Sequence, residues 1–266
     1  MTVECAIGLP NVGEYGDPRL LVALAGEAEA AGWAGVFLWD HVAYRERGWP
    51  VADPYVAVAA MAQATSRVRL GVLVSAVARR RPWKLARETA SLDVLSAGRL
   101  VVGAGLGSQA REEFAAFGED PDPRVRAQRL DEGLAILSGL WCGETYSHHG
   151  RHYTVEETVF LPRPVQRPRI PLWFAARGNA RRPVRRAARY EGLFPVDVDP
   201  DQLAGMLDLV LTERGSLDGF DVAVSIPPGG DPAPYAARGA TWILTGVQPY
   251  DSVRDVQTWV QAGPET

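Results

Sequence analysis

Residues 98–109, GRLVVGAGLGSQ, decide the fold. Arg99 to Val102 reads as a short buried strand of branched apolar residues. It runs into Gly103, Gly105 and Gly107, a backbone free to take positive φ and to let a flat ligand come close. A strand that opens into glycine is where parallel α/β folds seat their ligands. The dinucleotide fingerprint G-x-G-x-x-G is not met. Ser108 stands where its last glycine belongs, and Glu112-Glu113 come too soon to be the ribose acid. On this stretch alone, a plain strand end with a glycine turn stands beside a ligand site.

Outward from this stretch one unit repeats. On its N-terminal side, strands are predicted at Val3 to Leu9, Gly35 to Trp39 and Val68 to Ser75. Asp17-Pro18 and Asp53-Pro54 read as N-caps with proline at the first helical position, starting helices that run to Ala31 and Thr65. Pro82 starts a third helix that ends near Ser96. On the C-terminal side, residues 108–123 form a long loop or short helix. A helix follows from Arg124 to Trp141, with Leu130, Leu134, Leu137 and Leu140 at helical spacing. Gly143 to Arg169 breaks the rhythm as a β-hairpin excursion with a proline-rich return. Strands resume at Ile170 to Ala175, Gly192 to Val196, Phe220 to Ile226 and Ala240 to Thr245. Helices fall at about 180–190, 200–214 and 251–261.

Eight strands alternating with helices imply a parallel sheet. Eight units in roughly 250 residues match a closed (β/α)8 TIM barrel, a single domain over residues 1–266. A doubly wound open sheet is the alternative.

Composition narrows the function. The chain has 266 residues, 47% hydrophobic and 23% charged, with a net charge of -4, so no nucleic-acid partner is expected. Cys5 and Cys142 have no metal or redox spacing. No signal-peptide pattern or membrane-length apolar run is present, and the expected location is cytoplasmic. Lys84 is the only lysine against abundant arginine, a bias that points to a G+C-rich source. No nucleophile elbow, P-loop or H-E-x-x-H is present, which leaves hydrolase and NTPase readings unsupported.

In a barrel, the residues following each strand share one face with the active site. His41, with Asp40 beside it, follows the second strand, and is either a capping and packing residue or a catalytic one. Arg177-Gly178-Asn179 opens the helix after the fifth strand. Free N–H groups there with an adjacent arginine suit a phosphate, while a simple N-cap by Asn179 is the other reading. The Arg79-Arg80-Arg81 run reads as a solvated loop that on this face meets an acidic ligand at most. His148-His149-x-x-His152 reads as an exposed hairpin tip rather than a metal site, so no metal is expected.

Five segments in order carry a family resemblance: AGWAGVFLWDHV (31–42), TSRVRLGVLVSAVARRRP (65–82), LARETASLDVLSAGRLVVGAGLG (85–107), PRIPLWFAARGNARRPVRRAAR (168–189) and GATWILTG (239–246). Together they resemble the luciferase-like flavin-dependent oxidoreductases and monooxygenases over nearly the whole chain. The resemblance implies a barrel that binds FMN or the deazaflavin coenzyme F420 at the C-terminal ends of its strands. It implies a bulged third strand with a non-proline cis peptide at Leu73–Val74. It places the family's strand-two histidine at His41 as the catalytic residue. Cofactor contacts fall at Asp40, Leu73, Val74 and Ser75, at Gly105, Leu106, Gly107 and Ser108, and at the phosphate turn Arg177, Gly178 and Asn179.

The chain departs from the family at three places. Ala175-Ala176 replaces a frequent Gly-Gly, Glu191-Gly192 a frequent Asp-Gly, and Ser108 a catalytic glutamate of some deazaflavin enzymes. The implied activity is hydride transfer or oxygenation of a small organic substrate. The WDH segment and the arginine bias lean toward F420, while the FMN version brings a separate flavin reductase. A homodimer is compatible with either. A non-catalytic flavin-binding or interaction barrel is the alternative, with which Ser108 is compatible.

Overall fold

A computed structural model describes residues 3–178 and 180–264. Eight parallel strands close into a barrel: β1 (Glu4–Leu9), β2 (Gly35–Leu38), β3 (Arg69–Ala76), β4 (Leu100–Gly105), β7 (Leu172–Arg177), β8 (Gly192–Val196), β9 (Asp221–Ile226) and β10 (Trp242–Gly246). The ring runs β1-β10-β9-β8-β7-β4-β3-β2, so the first and last strands pair and the sheet has no edge. Between β4 and β7, β5 (Tyr146–His149) and β6 (Thr154–Thr158) form the antiparallel hairpin that the broken rhythm predicts.

Helix starts follow local chemistry. In α1 (Pro18–Ala30) and α2 (Pro54–Ala64), Asp17 and Asp53 accept from Arg19 N and Val56 N, and proline occupies the first turn. α3 (Pro82–Leu95) and α5 (Pro123–Trp141) also begin at proline, with a one-turn α4 (Ala110–Glu113) after β4. α6 (Arg181–Ala187), α7 (Pro200–Arg214), one-turn α8 (Ala233–Ala236) and α9 (Val253–Ala262) complete the outer layer.

The N-terminal end of the barrel is plugged by aromatic rings. Phe37, Trp173 and Trp242 pack together inside it, with centroids 5.5 Å apart for both Phe37–Trp173 and Trp173–Trp242. Both indole N–H groups donate to Asp221, at 3.1 and 3.3 Å. Burial pushes the Asp221 carboxyl above its usual range, against the pull of those two hydrogen bonds. Gly192 leaves the room Trp173 needs, since a Cβ there would lie 2.5 Å from its ring. With this end filled, the C-terminal mouth is where the barrel interior meets solvent.

Packing accounts for two of the glycines of residues 98–109. β4 runs on through Gly103 to Gly105, and only Gly107 of the three has positive φ, at 78°. The register between β3 and β4 shifts between Val72 and Ser75, and the Leu73–Val74 peptide inside that bulge is cis. A Cβ on Gly103 would lie 2.5 Å from Leu73 Cδ2, and one on Gly105 2.7 Å from Val74 Cγ1. Gly103 and Gly105 thus make way for the neighbouring bulge.

Candidate active site

The site is built from the loops after β1, β2, β3 and β4. Asn11, fully buried, donates to His41 O at 2.8 Å and to Ala52 O at 2.7 Å, and accepts from His41 N at 3.1 Å. It therefore pins the His41 backbone from both sides, a role no local pattern announces.

The His41 ring is set by a residue 72 positions away. Its Nδ1 lies 2.7 Å from Glu113 Oε1, which also accepts from Val42 N at 3.2 Å. Glu113 Oε2 accepts from Arg79 Nη1. The other Arg79 amino group donates to Asp40 Oδ1 at 2.8 Å and to Asp40 O at 2.9 Å. Arg80 grips the same carboxylate, at 2.6 and 3.1 Å, and the Ala76 N–H adds a contact at 3.2 Å. Burial opposes charge on Asp40. Arg80 and Arg79 outweigh it and hold the carboxyl below the usual carboxylate range. The same contact raises Arg80, against its own burial, and its guanidinium rests 4.8 Å from the centre of the Tyr55 ring.

Sequence reading treats Arg79-Arg80-Arg81 as a solvated loop. Arg79 and Arg80 are instead largely buried and charge-paired, and only Arg81 is exposed. Asp40, a candidate cofactor contact, has both carboxylate oxygens occupied and holds the two arginines in place. Ser75 is fully buried, with its hydroxyl 2.6 Å from Tyr55 Oη of α2.

A pocket of about 420 Å³ opens beside this network, lined by His41, Val42, Ala52, Pro54, Arg80 and Phe117 among others. His41 Nε2 has no hydrogen-bond partner among the described residues, and His41 lines the pocket. Tyr44 meets His41 edge-on at 4.9 Å and stacks on Trp49 at 5.8 Å.

The other predicted site residues among the described ones do not line this pocket. Leu73 is inside the barrel among the aromatic rings, and Val74 is partly exposed. Gly105 is buried, Leu106 and Gly107 are partly covered, and Ser108 is exposed. The Leu106 and Gly107 carbonyls accept from Arg126 at 3.2 Å each, which ties the turn after β4 to α5. Arg177 is the last residue of β7 rather than the start of a helix, and α6 begins later with Ala180 at its N-cap. Its guanidinium is exposed and lies 3.0 Å from Asp197, while Gly178 has φ of 52°. Asn179 lies outside the described residues. Among the described residues no cluster of acidic, His or Cys side chains is arranged to hold a metal. His148 and His152 of the hairpin contact Glu132 and Gln128 of α5, at 3.5 and 3.0 Å.

A family model for luciferase-like monooxygenases matches residues 5–262. The chain belongs to the luciferase-like monooxygenase family. Within this family the chain is 31% identical over 182 residues to an F420-dependent glucose-6-phosphate dehydrogenase of Microbacterium testaceum, covering 68% of this chain and 53% of that protein. It is 31% identical over 157 residues to the oxygenase component of a flavin-dependent trigonelline monooxygenase of Acinetobacter baylyi, covering 59% of this chain and 42% of that protein. The chain thus spans about half the length of these two relatives. The same luciferase-like barrel recurs in an F420-dependent secondary alcohol dehydrogenase solved with an F420-acetone adduct. The TM-score is 0.83 at 18% identity, over 98% of both chains. Proteins named as F420-dependent and as flavin-dependent therefore both stand among those it resembles. No helix among the described residues is long and apolar enough to cross a membrane.

Proposed function

We propose that this luciferase-like barrel is a flavin- or deazaflavin-dependent oxidoreductase, with F420 favoured, acting on a small organic substrate in the pocket beside His41. The observation that carries this reading is the His41 ring. One nitrogen is committed to a buried carboxylate, and the other is left for the 420 Å³ pocket. That is the arrangement of a general acid–base held ready at an open site.

The residues of the mouth fit the cofactor. Val74 on its bulge offers an apolar surface for a planar ring, and the exposed Arg177 guanidinium offers a charge for an anionic tail. When bound, such a group supplies or accepts a hydride, or with dioxygen supports oxygenation. His41 would exchange a proton with the substrate through Nε2, while Val42, Ala52, Pro54 and Phe117 enclose the apolar part of the substrate. That one relative is the oxygenase component of its monooxygenase supports a separate reductase in the FMN version.

Titrating the purified chain with F420 and with FMN, then assaying His41→Ala, tests the reading. We expect F420 to bind more tightly, and turnover to fall roughly 10²–10⁴-fold in the variant. Binding of neither compound would overturn it. Binding without turnover under any reductant or oxygen condition would favour a non-catalytic barrel.

A further inference from the structure

We propose that Glu113 is a positioning residue that keeps the hydrogen of neutral His41 on Nδ1 and so presents Nε2 to the pocket as an acceptor. This rests on the reading of His41 as the acid–base group. Besides the His41 ring, Glu113 meets only donors among the described residues: Val42 N on the oxygen that lies against Nδ1, and Arg79 on the other. A carboxylate so surrounded acts as an acceptor alone, and a ring nitrogen 2.7 Å from it carries the hydrogen.

The surroundings leave the ring few alternatives. Asn11 fixes the His41 backbone, and Trp39 and Tyr44 meet the ring at 5.8 and 4.9 Å, both near edge-on. Arg79 cannot follow the ring away, because its second amino group is tied to Asp40. Among the described residues, the only charged groups bonded to this assembly are Glu113, Arg79, Asp40 and Arg80.

The proton balance is simple. A proton leaves the substrate for Nε2, the Nδ1 hydrogen stays in place, and the resulting imidazolium faces the Glu113 carboxylate. Glu113 itself takes no proton. The reverse step returns the proton from Nε2. This carboxylate is separate from the position after β4 where some deazaflavin enzymes carry an acid and this chain has Ser108. Ser108 is exposed, while the Glu113 side chain is almost fully buried.

The test uses the full chain without cofactor, labelled with ¹⁵N at histidine and read by long-range ¹H–¹⁵N correlation. The chain has four histidines, so His41→Asn identifies the signal. We expect wild-type neutral His41 to carry its hydrogen on Nδ1, and Glu113→Gln to bring in the Nε2–H form, because an amide can donate as well as accept. A wild-type signal with the hydrogen on Nε2 would overturn the proposal, and this reading needs no variant to fold. An unchanged tautomer in folded Glu113→Gln would overturn it too. With F420 or FMN and substrate, Glu113→Gln should lower kcat with KM little changed. If the Nδ1–H form is seen but His41→Asn leaves turnover intact, the acid–base reading fails and the tautomer assignment stands.

Discussion

Arg79 bridges the two acids of the site, with one amino group on Glu113 and the other 2.8 Å from Asp40 Oδ1. The strand-two and strand-four loops are thereby joined through a residue of the strand-three loop. His41 inherits its orientation from that join. Removing any member leaves a buried charge short of a partner, which costs more than an exposed ion pair would.

Asp40→Asn is the direct check on the join. Arg80 loses its charge partner and Arg79 keeps only Glu113. Urea unfolding should show a loss of about 3–5 kcal/mol, typical of a broken buried pair. A loss below about 1 kcal/mol would mean that the arginines relax into solvent at little cost.

The reading of the β4 glycines makes an opposite pair of predictions. Gly103→Ala and Gly105→Ala put a Cβ 2.5 and 2.7 Å from the bulge side chains and should each destabilise by about 1–3 kcal/mol. Gly26→Ala in α1 meets nothing within 4 Å and should stabilise by roughly 0.5–1 kcal/mol. Thermal unfolding of the three variants compares them directly.

Acid stability should depend on Glu29. Burial works against its charge, but the backbone N–H groups of Arg67, Val68 and Ser66 outweigh it and bring the carboxyl from 4.5 to about 2. The folded value is the lower one, so the unfolded chain binds the proton more tightly. Its contribution is complete above pH 4.5 and is lost as pH falls toward 2. In Glu29→Gln the decline in stability over that window should be shallower than in wild type, measured by denaturant midpoints at stepped pH.

Arg177 separates a binding role from a structural one. Its pair with Asp197 is exposed on both sides, so Arg177→Ala should change stability by no more than about 0.5 kcal/mol. Affinity for the cofactor should fall by about tenfold or more if the guanidinium meets its phosphate. Equal F420 and FMN affinities in wild type and variant would move the phosphate elsewhere.

The barrel was legible in the sequence because its signals are local. Alternating apolar runs, Asp-Pro helix starts and the Gly143–Arg169 break are each read within a few residues. α7 falls on Pro200–Arg214 as predicted, held by a capping box between Asp199 and Gln202. The family resemblance added the cis Leu73–Val74 bond and its bulge, which the apolar string RLGVLVSA does not itself reveal.

The site was legible only in part, because pairing across a barrel has no sequence spacing. His41 could be placed on the functional face, since it follows a strand. Nothing in its neighbourhood shows that Asn11 holds its backbone or that Glu113 holds its ring. Glu112 and Glu113 look alike in sequence, and the fold buries Glu113. Arg79 and Arg80 read as solvated because charge in a loop is usually exposed, until the closure of the sheet brings Asp40 and Glu113 against them. Local patterning determined that this chain makes a barrel. Burial and long-range charge pairing, which exist only once the barrel is closed, decided that the His41 ring meets Glu113 through Nδ1.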